Sequence, residues 1–131
     1  MLRWYIDSSA IIKLIRLENE SKALVAALPK RIISSNLSRV EVLRTIKIHA
    51  NESLEAAYSV LAEIEMLSID NAVMTTAEGM PPFITLRTLD SIHLASALTL
   101  KNDIEGIITY DKDMAKASLA MGLKVLSPGV K

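Results

Sequence analysis

Residues 2–15 read LRWYIDSSAIIKLI, and this stretch decides the fold. The apolar run from Trp4 to Ile6 predicts a short buried strand, and the apolar periodicity after it predicts a helix over residues 9–17. Asp7 stands between the two elements. In an open parallel α/β sheet such strand-to-helix junctions gather at one edge, where ligands bind. Asp7 therefore indicates the edge at which a functional site is expected.

The same alternation of short apolar runs and longer helical patterns continues to the end of the chain. Further strands are predicted at residues 32–34, 66–69, 106–109 and 124–126. Further helices are predicted at residues 20–28, 38–49, 51–64, 70–78, 90–100 and 111–121, with Ser38 and Thr88 as N-caps of two of them. Five short strands separated by helices predict an α/β fold with a mostly parallel sheet covered on both faces. Without a repeat or a linker, residues 1–131 are expected to form a single domain.

Composition excludes several classes of site. The 15 basic and 15 acidic residues leave a net charge of zero, so no global field attracts a polyanion. A nucleic-acid partner stays possible, because a bound metal ion neutralises acidic groups locally. The absence of cysteine excludes disulfides, thiolate catalysis and zinc–thiolate sites. No apolar run approaches the ~18 residues that cross a bilayer, and no signal segment precedes Asp7, so a cytoplasmic location is expected.

Three further acidic residues, Glu41, Asp90 and Asp111, stand at or near predicted helix starts. Four carboxylates at one edge of a sheet repel one another unless a hard divalent cation joins them, and Mg²⁺ or Mn²⁺ prefers such oxygen ligands. Each acid also has a simpler structural explanation. Asp7 suits an N-cap, Glu41 suits a capping box with Ser38, and Asp90 and Asp111 suit the first turn of a helix. The four together favour a metal-dependent enzyme.

Four segments of the chain resemble the PIN-domain ribonucleases, and most closely the VapC toxins of toxin–antitoxin pairs. They are residues 5–10 (YIDSSA), 38–42 (SRVEV), 87–95 (RTLDSIHLA) and 109–111 (TYD). Their order and spacing match, and the resemblance extends over essentially the whole chain. It implies a PIN-like three-layer α/β/α sandwich with about five strands.

The resemblance also implies an activity, which is metal-dependent endoribonuclease cleavage of RNA with Mg²⁺ or Mn²⁺ as cofactor. The acidic quartet that would be catalytic and bind the metal is Asp7, Glu41, Asp90 and Asp111. Ser9 and Thr109 match supporting hydroxyls that orient a carboxylate or a metal-bound water. Asp113 is a further acid near the site, and its contribution is left open, as are the RNA target and the number of metal ions.

The remaining expectations concern phosphate contacts and partners. Arg39, Arg44 and Arg87 flank the acidic positions and are candidate phosphate contacts, with solvent exposure as the equal alternative. His93 is expected to be a packed, structural residue. The resemblance implies a homodimer and a cognate antitoxin, and residues 14–28 are the candidate docking surface.

Two alternative functions are weaker. A haloacid-dehalogenase-type phosphatase needs a second Asp two residues after the first, and position 9 is Ser9. A catalytically silent PIN-like binding or scaffold module is the more serious alternative. The intact acidic quartet argues against it, because pooled like charges destabilise a fold that binds no metal.

Overall fold

The fold, seen here in a computed structural model that describes residues 2–130, is built on five short strands. The strands are β1 (Arg3–Ile6), β2 (Ile32–Ser35), β3 (Glu65–Leu67), β4 (Ile104–Ile108) and β5 (Lys124–Leu126). The helices are α1 (Ser8–Ile15), α2 (Ser21–Ala27), α3 (Asn36–His49), α4 (Leu54–Ala62), α5 (Asn71–Glu78), α6 (Thr88–Thr99) and α7 (Lys112–Ala120). A single 3-10 turn, Asn51–Ser53, leads into α4.

The five strands form one parallel sheet in the order β3-β2-β1-β4-β5. Strand β1 is therefore central, and the chain returns to it once from each side. Because all strands run the same way, their carboxyl ends share one edge of the sheet. The register pairs Ile6 of β1 with Ile108 of β4, which sets Asp7 beside Thr109 at that edge. The predicted α/β fold with a parallel five-stranded sheet is confirmed.

Successive residues of the central strands supply two separate cores, because side chains alternate between the faces of a sheet. Ile6 and Ile108 pack in a cluster with residues of α1, α2, α3 and α4. Tyr5 and Ile107 pack in a second cluster with residues of α6 and α7. Helices thus cover both faces, as an α/β/α sandwich requires.

The predicted N-caps of α3 and α6 are wrong. Helix α3 begins earlier than expected, and its N-cap is Ser35, whose Oγ accepts a hydrogen bond from the Ser38 N–H at 3.3 Å. The extended backbone of Ser35 suits a cap, whereas Ser38 is already helical and buried. Helix α6 has Arg87 as N-cap residue without a side-chain cap, and Thr88 is its first helical residue.

Other differences are confined to element ends. Helix α1 stops at Ile15, and the predicted helix over residues 51–64 begins as a 3-10 turn. The predicted helix at residues 70–78 is present as α5, where the Asp70 side chain accepts from the Val73 N–H at 3.0 Å. No helix between residues 2 and 130 has the length and apolarity to cross a membrane.

Gly106 in β4 gives a direct test of this sheet. A Cβ at that position would lie 2.3 Å from the Lys124 carbonyl oxygen of β5, and backbone on an adjacent strand cannot easily move away. We expect Gly106→Ala to lower the free energy of unfolding in urea by about 1–3 kcal/mol.

Gly79→Ala is the matched control for that substitution. Its new Cβ would meet only ordinary contacts, the nearest being the Thr75 carbonyl oxygen at 3.4 Å. It should leave stability unchanged or raise it by about 0.4–1 kcal/mol. Equal stabilities of the two variants would contradict the close approach of β4 and β5.

Candidate active site

Asp7 is the fixed point of the acidic edge. It ends β1 and caps α1, and only 4% of its surface is exposed. Its Oδ1 accepts hydrogen bonds from Ser9 Oγ at 2.6 Å and from the Ala10 N–H at 3.1 Å, and its Oδ2 accepts from Thr109 Oγ1. The capping explanation for Asp7 is thus correct, but the hydroxyl contacts go beyond what a cap requires.

The two hydroxyls join the ends of β1 and β4. Ser9 Oγ also accepts from the Tyr110 N–H at 3.0 Å, and Thr109 Oγ1 accepts from the Asp111 N–H at 3.1 Å. Ser9 and Thr109, singled out in the sequence as supporting residues, therefore both contact Asp7 and hold the backbone leading to Asp111. Burial raises the pKa of Asp7, and this outweighs the opposing hydrogen bonds from Ser9, Thr109 and Ala10.

Glu41 is held by a histidine and takes no part in a capping box. It lies on α3, and its Oε1 accepts a hydrogen bond from His93 Nε2 of α6. Burial by itself raises the pKa of Glu41, but the hydrogen bond and charge of His93, with a hydrogen bond from Ser8, keep that pKa below its ordinary value. Glu41 is consequently ionised and oriented before any ligand arrives.

His93 is buried as expected, and it belongs to a chain of polar contacts behind Glu41. Its Nδ1 lies 3.3 Å from the Tyr5 hydroxyl and 3.4 Å from Ser38 Oγ. Burial raises the pKa of Tyr5 to about 12, so this phenol keeps its proton. Tyr5 and Ser38 therefore fix the imidazole ring from behind, and the ring in turn fixes Glu41.

Asp90 and Asp111 complete the acidic edge. Asp90 lies in the first turn of α6, and Asp111 caps α7 by accepting from the Met114 N–H at 2.9 Å. The pKa of Asp90 is raised by burial and then by the negative charge of Asp111, with Glu41 adding to the effect. His93 and Arg87 act in the opposite direction. Like charges therefore crowd Asp90, and this is the electrostatic signature expected of an acidic cluster without a cation.

The four acids suit a hard divalent cation by their chemistry, because all supply carboxylate oxygens. No three acidic or histidine side chains within residues 2–130 converge closely enough to hold an ion as they stand. Mutual repulsion explains this spacing, since Asp90, Asp111 and Glu41 have no cation between them. The donor set therefore fits a metal ion, and binding one requires the exposed carboxylates to draw together.

The three candidate arginines occupy different surroundings. Arg87 lies in a groove with Asp90 and lowers the pKa of that carboxyl. Arg39 lies over the ring of Tyr58, 5.8 Å from its centroid. Arg44 is exposed on α3. Arg87 is thus the one of the three that the fold brings to Asp90.

Two features of this edge were missed in the sequence. The pairing of His93 with Glu41 joins helices 52 residues apart in the chain, and no local pattern indicates it. The groove beside Asp90 also contains Phe83, Asp113 and Lys116. The only available signal for it was the single phenylalanine of the chain, directly after Pro81 and Pro82.

Known proteins with similar sequences are ribonucleases by name. A family model described as "PIN domain" matches residues 4–119. Ribonuclease VapC46 of Mycobacterium tuberculosis (strain ATCC 25618 / H37Rv) is 41% identical over 126 residues, which cover 95% of this chain and 96% of the relative. Ribonuclease VapC35 of the same strain is 40% identical over 131 residues, with the same coverage.

Solved structures of low sequence identity share the fold. A toxin–antitoxin complex from Klebsiella pneumoniae aligns with a TM-score of 0.75 at 21% identity, over 95% of this chain and 97% of that one. Mycobacterium tuberculosis VapC20, titled a sarcin–ricin loop cleaving toxin, aligns with a TM-score of 0.73 at 16% identity, over 95% and 98%. Together with the family match and the 40% identity across nearly the full length, these likenesses show that the chain belongs to the PIN-domain family and, within it, to the VapC group.

Proposed function

We propose that this protein is a metal-dependent endoribonuclease that hydrolyses RNA phosphodiester bonds, and that it is the toxin of a toxin–antitoxin pair. The observation that carries the proposal is the crowding of Asp90 by Asp111 and Glu41 beside the anchored Asp7. Relatives of about 40% identity are named ribonucleases, which supports the same activity here.

The proposed cofactor is Mg²⁺ or Mn²⁺, held by the acidic quartet Asp7, Glu41, Asp90 and Asp111. When bound, such an ion activates a water molecule and neutralises the charge that develops on the phosphate. The carboxylate oxygens fit this role by type, and the cation would relieve the repulsion at Asp90.

The residues of the chain divide the remaining work. Ser9 and Thr109 fix Asp7, so that this carboxylate provides a rigid reference point at the end of β1. His93 restricts the rotation of Glu41 through one oxygen and leaves its other oxygen for the site. Asp90 and Asp111 are less restrained and can adjust around an ion. Arg87 beside Asp90 supplies positive charge toward a substrate phosphate.

Cleavage of RNA tests the proposal directly. The purified protein should cut a structured RNA pool with Mg²⁺ or Mn²⁺ and not with EDTA. We expect Asp90→Asn to reduce the rate by about 10²- to 10³-fold, comparable to removing one charge-stabilising group from other active sites.

Asp103→Asn is the control for the cleavage assay. Asp103 is an exposed acid that precedes β4, so it lies at the opposite edge of the sheet. Its loss should leave the rate unchanged. Equal cleavage by the Asp90 variant and the wild type would remove Asp90 from the site, and absence of metal-dependent cleavage by the wild type would contradict the proposed activity.

The pH dependence of stability tests the charge crowding. The pKa of Asp90 in the folded protein lies above its ordinary value, so ionising this group costs stability as the pH rises through the raised pKa. In EDTA, Asp90→Asn should therefore become progressively more stable than the wild type between about pH 4 and pH 7, as measured by urea unfolding.

Addition of metal should reverse that order. Metal at about 100 times its Kd stabilises the wild type by roughly 2.7 kcal/mol, while Asp90→Asn should gain far less. A difference between the two proteins that is independent of both pH and metal would contradict the account of Asp90.

The proposed antitoxin has a suitable surface on α1 and α2. A largely apolar groove of about 560 Å³ runs between these helices and includes Leu14, Leu17 and Val25. Leu17 is 92% exposed and Val25 is 63% exposed. Several solved structures of the same fold are titled as toxin–antitoxin assemblies, which supports an antitoxin as the occupant of this groove. A homodimer of the toxin is proposed alongside it.

Charge introduced into this groove should weaken the antitoxin complex. We expect Val25→Asp to reduce recovery of a co-expressed antitoxin on tagged toxin by at least about 10-fold, because a carboxylate loses hydration on an apolar contact. Leu119→Asp, on an exposed position of α7, is the control. Full recovery with Val25→Asp would place the antitoxin elsewhere.

A further inference from the structure

A second groove lies directly beside the acidic edge. It has a volume of about 390 Å³ and runs between the loop that follows α5 and the exposed side of α7. Its lining includes Asp90 and Arg87, together with Phe83, Asp113 and Lys116. We call it the Phe83 groove. Because Asp90 belongs to both, the groove is continuous with the candidate active site.

Phe83 is presented to solvent by an anchored loop. The Ile84 N–H donates to the Pro81 carbonyl oxygen at 2.9 Å, which forms a turn around the aromatic residue. Ile84 and Leu86 pack against the second core, while the Phe83 side chain stays 66% exposed. A single exposed apolar residue is common on protein surfaces. An aromatic ring fixed beside two cations and a catalytic-edge acid is a more specific arrangement.

The charges of the groove favour an anion. Neither Arg87 nor Lys116 forms a salt bridge with any residue in the described range 2–130, and both are exposed. Asp113 is the acid that opposes them, since Asp90 would be neutralised by the metal ion. Two cations against one acid leave the groove net positive when the proposed metal is bound.

We propose that the Phe83 groove binds the RNA nucleotide next to the scissile phosphate, with Phe83 stacked on its base and Arg87 and Lys116 at its flanking phosphates. This inference rests on the proposed ribonuclease function and deepens it. Stacking on an aromatic ring together with cations along the backbone is how proteins hold single-stranded nucleic acid. An unpaired base is required, so the groove selects single-stranded segments and loops over A-form duplex.

Binding of a fluorescent oligonucleotide tests the inference. The probe is a 12-nucleotide single-stranded RNA pool that carries 2-aminopurine, with Asp7→Asn as a slow-cutting parent and Mg²⁺ present. The amide side chain of this parent keeps an oxygen for Ser9 and for the Ala10 N–H, so the cap survives. Adding Phe83→Ala should weaken binding by about 5- to 150-fold, the loss of one stacked base. It should also abolish the part of the 2-aminopurine quenching that stacking produces.

Matched substitutions separate stacking from general damage. Phe83→Trp keeps an aromatic face and should bind within about threefold of the parent. Lys116→Ala should weaken binding and reduce its salt dependence, whereas Lys112→Ala, on the same helix outside the groove lining, should do so less.

The outcomes distinguish this inference from the proposed function. Unchanged binding and quenching with Phe83→Ala, while the wild type still cuts RNA, would overturn the inference and leave the nuclease proposal intact. If Phe83→Ala instead releases a co-expressed antitoxin without altering RNA binding, the groove is a protein contact and the inference is wrong. Absence of any metal-dependent cleavage by the wild type would remove the nuclease proposal itself, and the inference with it.

Discussion

The hydrogen bonds that surround the Asp7 carboxylate are the interaction on which the site depends. Ser9 and the Ala10 N–H reach it from α1, and Thr109 reaches it from the end of β4. These contacts join the two central strands at their carboxyl ends, and they place a carboxylate where the parallel sheet opens to solvent. Burial of Asp7 raises its pKa, so the native protein holds this acid against an electrostatic cost.

That cost is shared by the other acids and explains their different supports. Glu41 is ionised because His93 pairs with it, whereas Asp90 faces the negative charges of Asp111 and Glu41. A cation would offset the repulsion and draw the carboxylates together, so metal binding and folding stability are linked. Tyr5 and Ser38 add a buried support behind His93, which ties the geometry of Glu41 to the second core.

Much of this arrangement could be predicted from local patterns, and the failures have physical causes. The strand-to-helix position of Asp7 and the helix starts near Asp90 and Asp111 follow from periodicity and from the sheet rule. The N-cap of α3 was misassigned because Ser35 and Ser38 are both good caps, and only the backbone conformation chooses between them. The His93–Glu41 contact and the Phe83 groove depend on how helices pack across the sheet, which a single sequence does not encode locally.

The most direct test of the central claim is anomalous diffraction from crystals of the protein soaked in Mn²⁺. The account predicts an anomalous peak at the carboxyl edge of the sheet, within coordination distance of Asp7 and Asp90 and with Glu41 or Asp111 turned toward it. The same soak with Asp90→Asn should weaken or remove the peak. A Mn²⁺ peak elsewhere on the molecule, with the four carboxylates unchanged and hydrated, would contradict the claim that they form a metal centre.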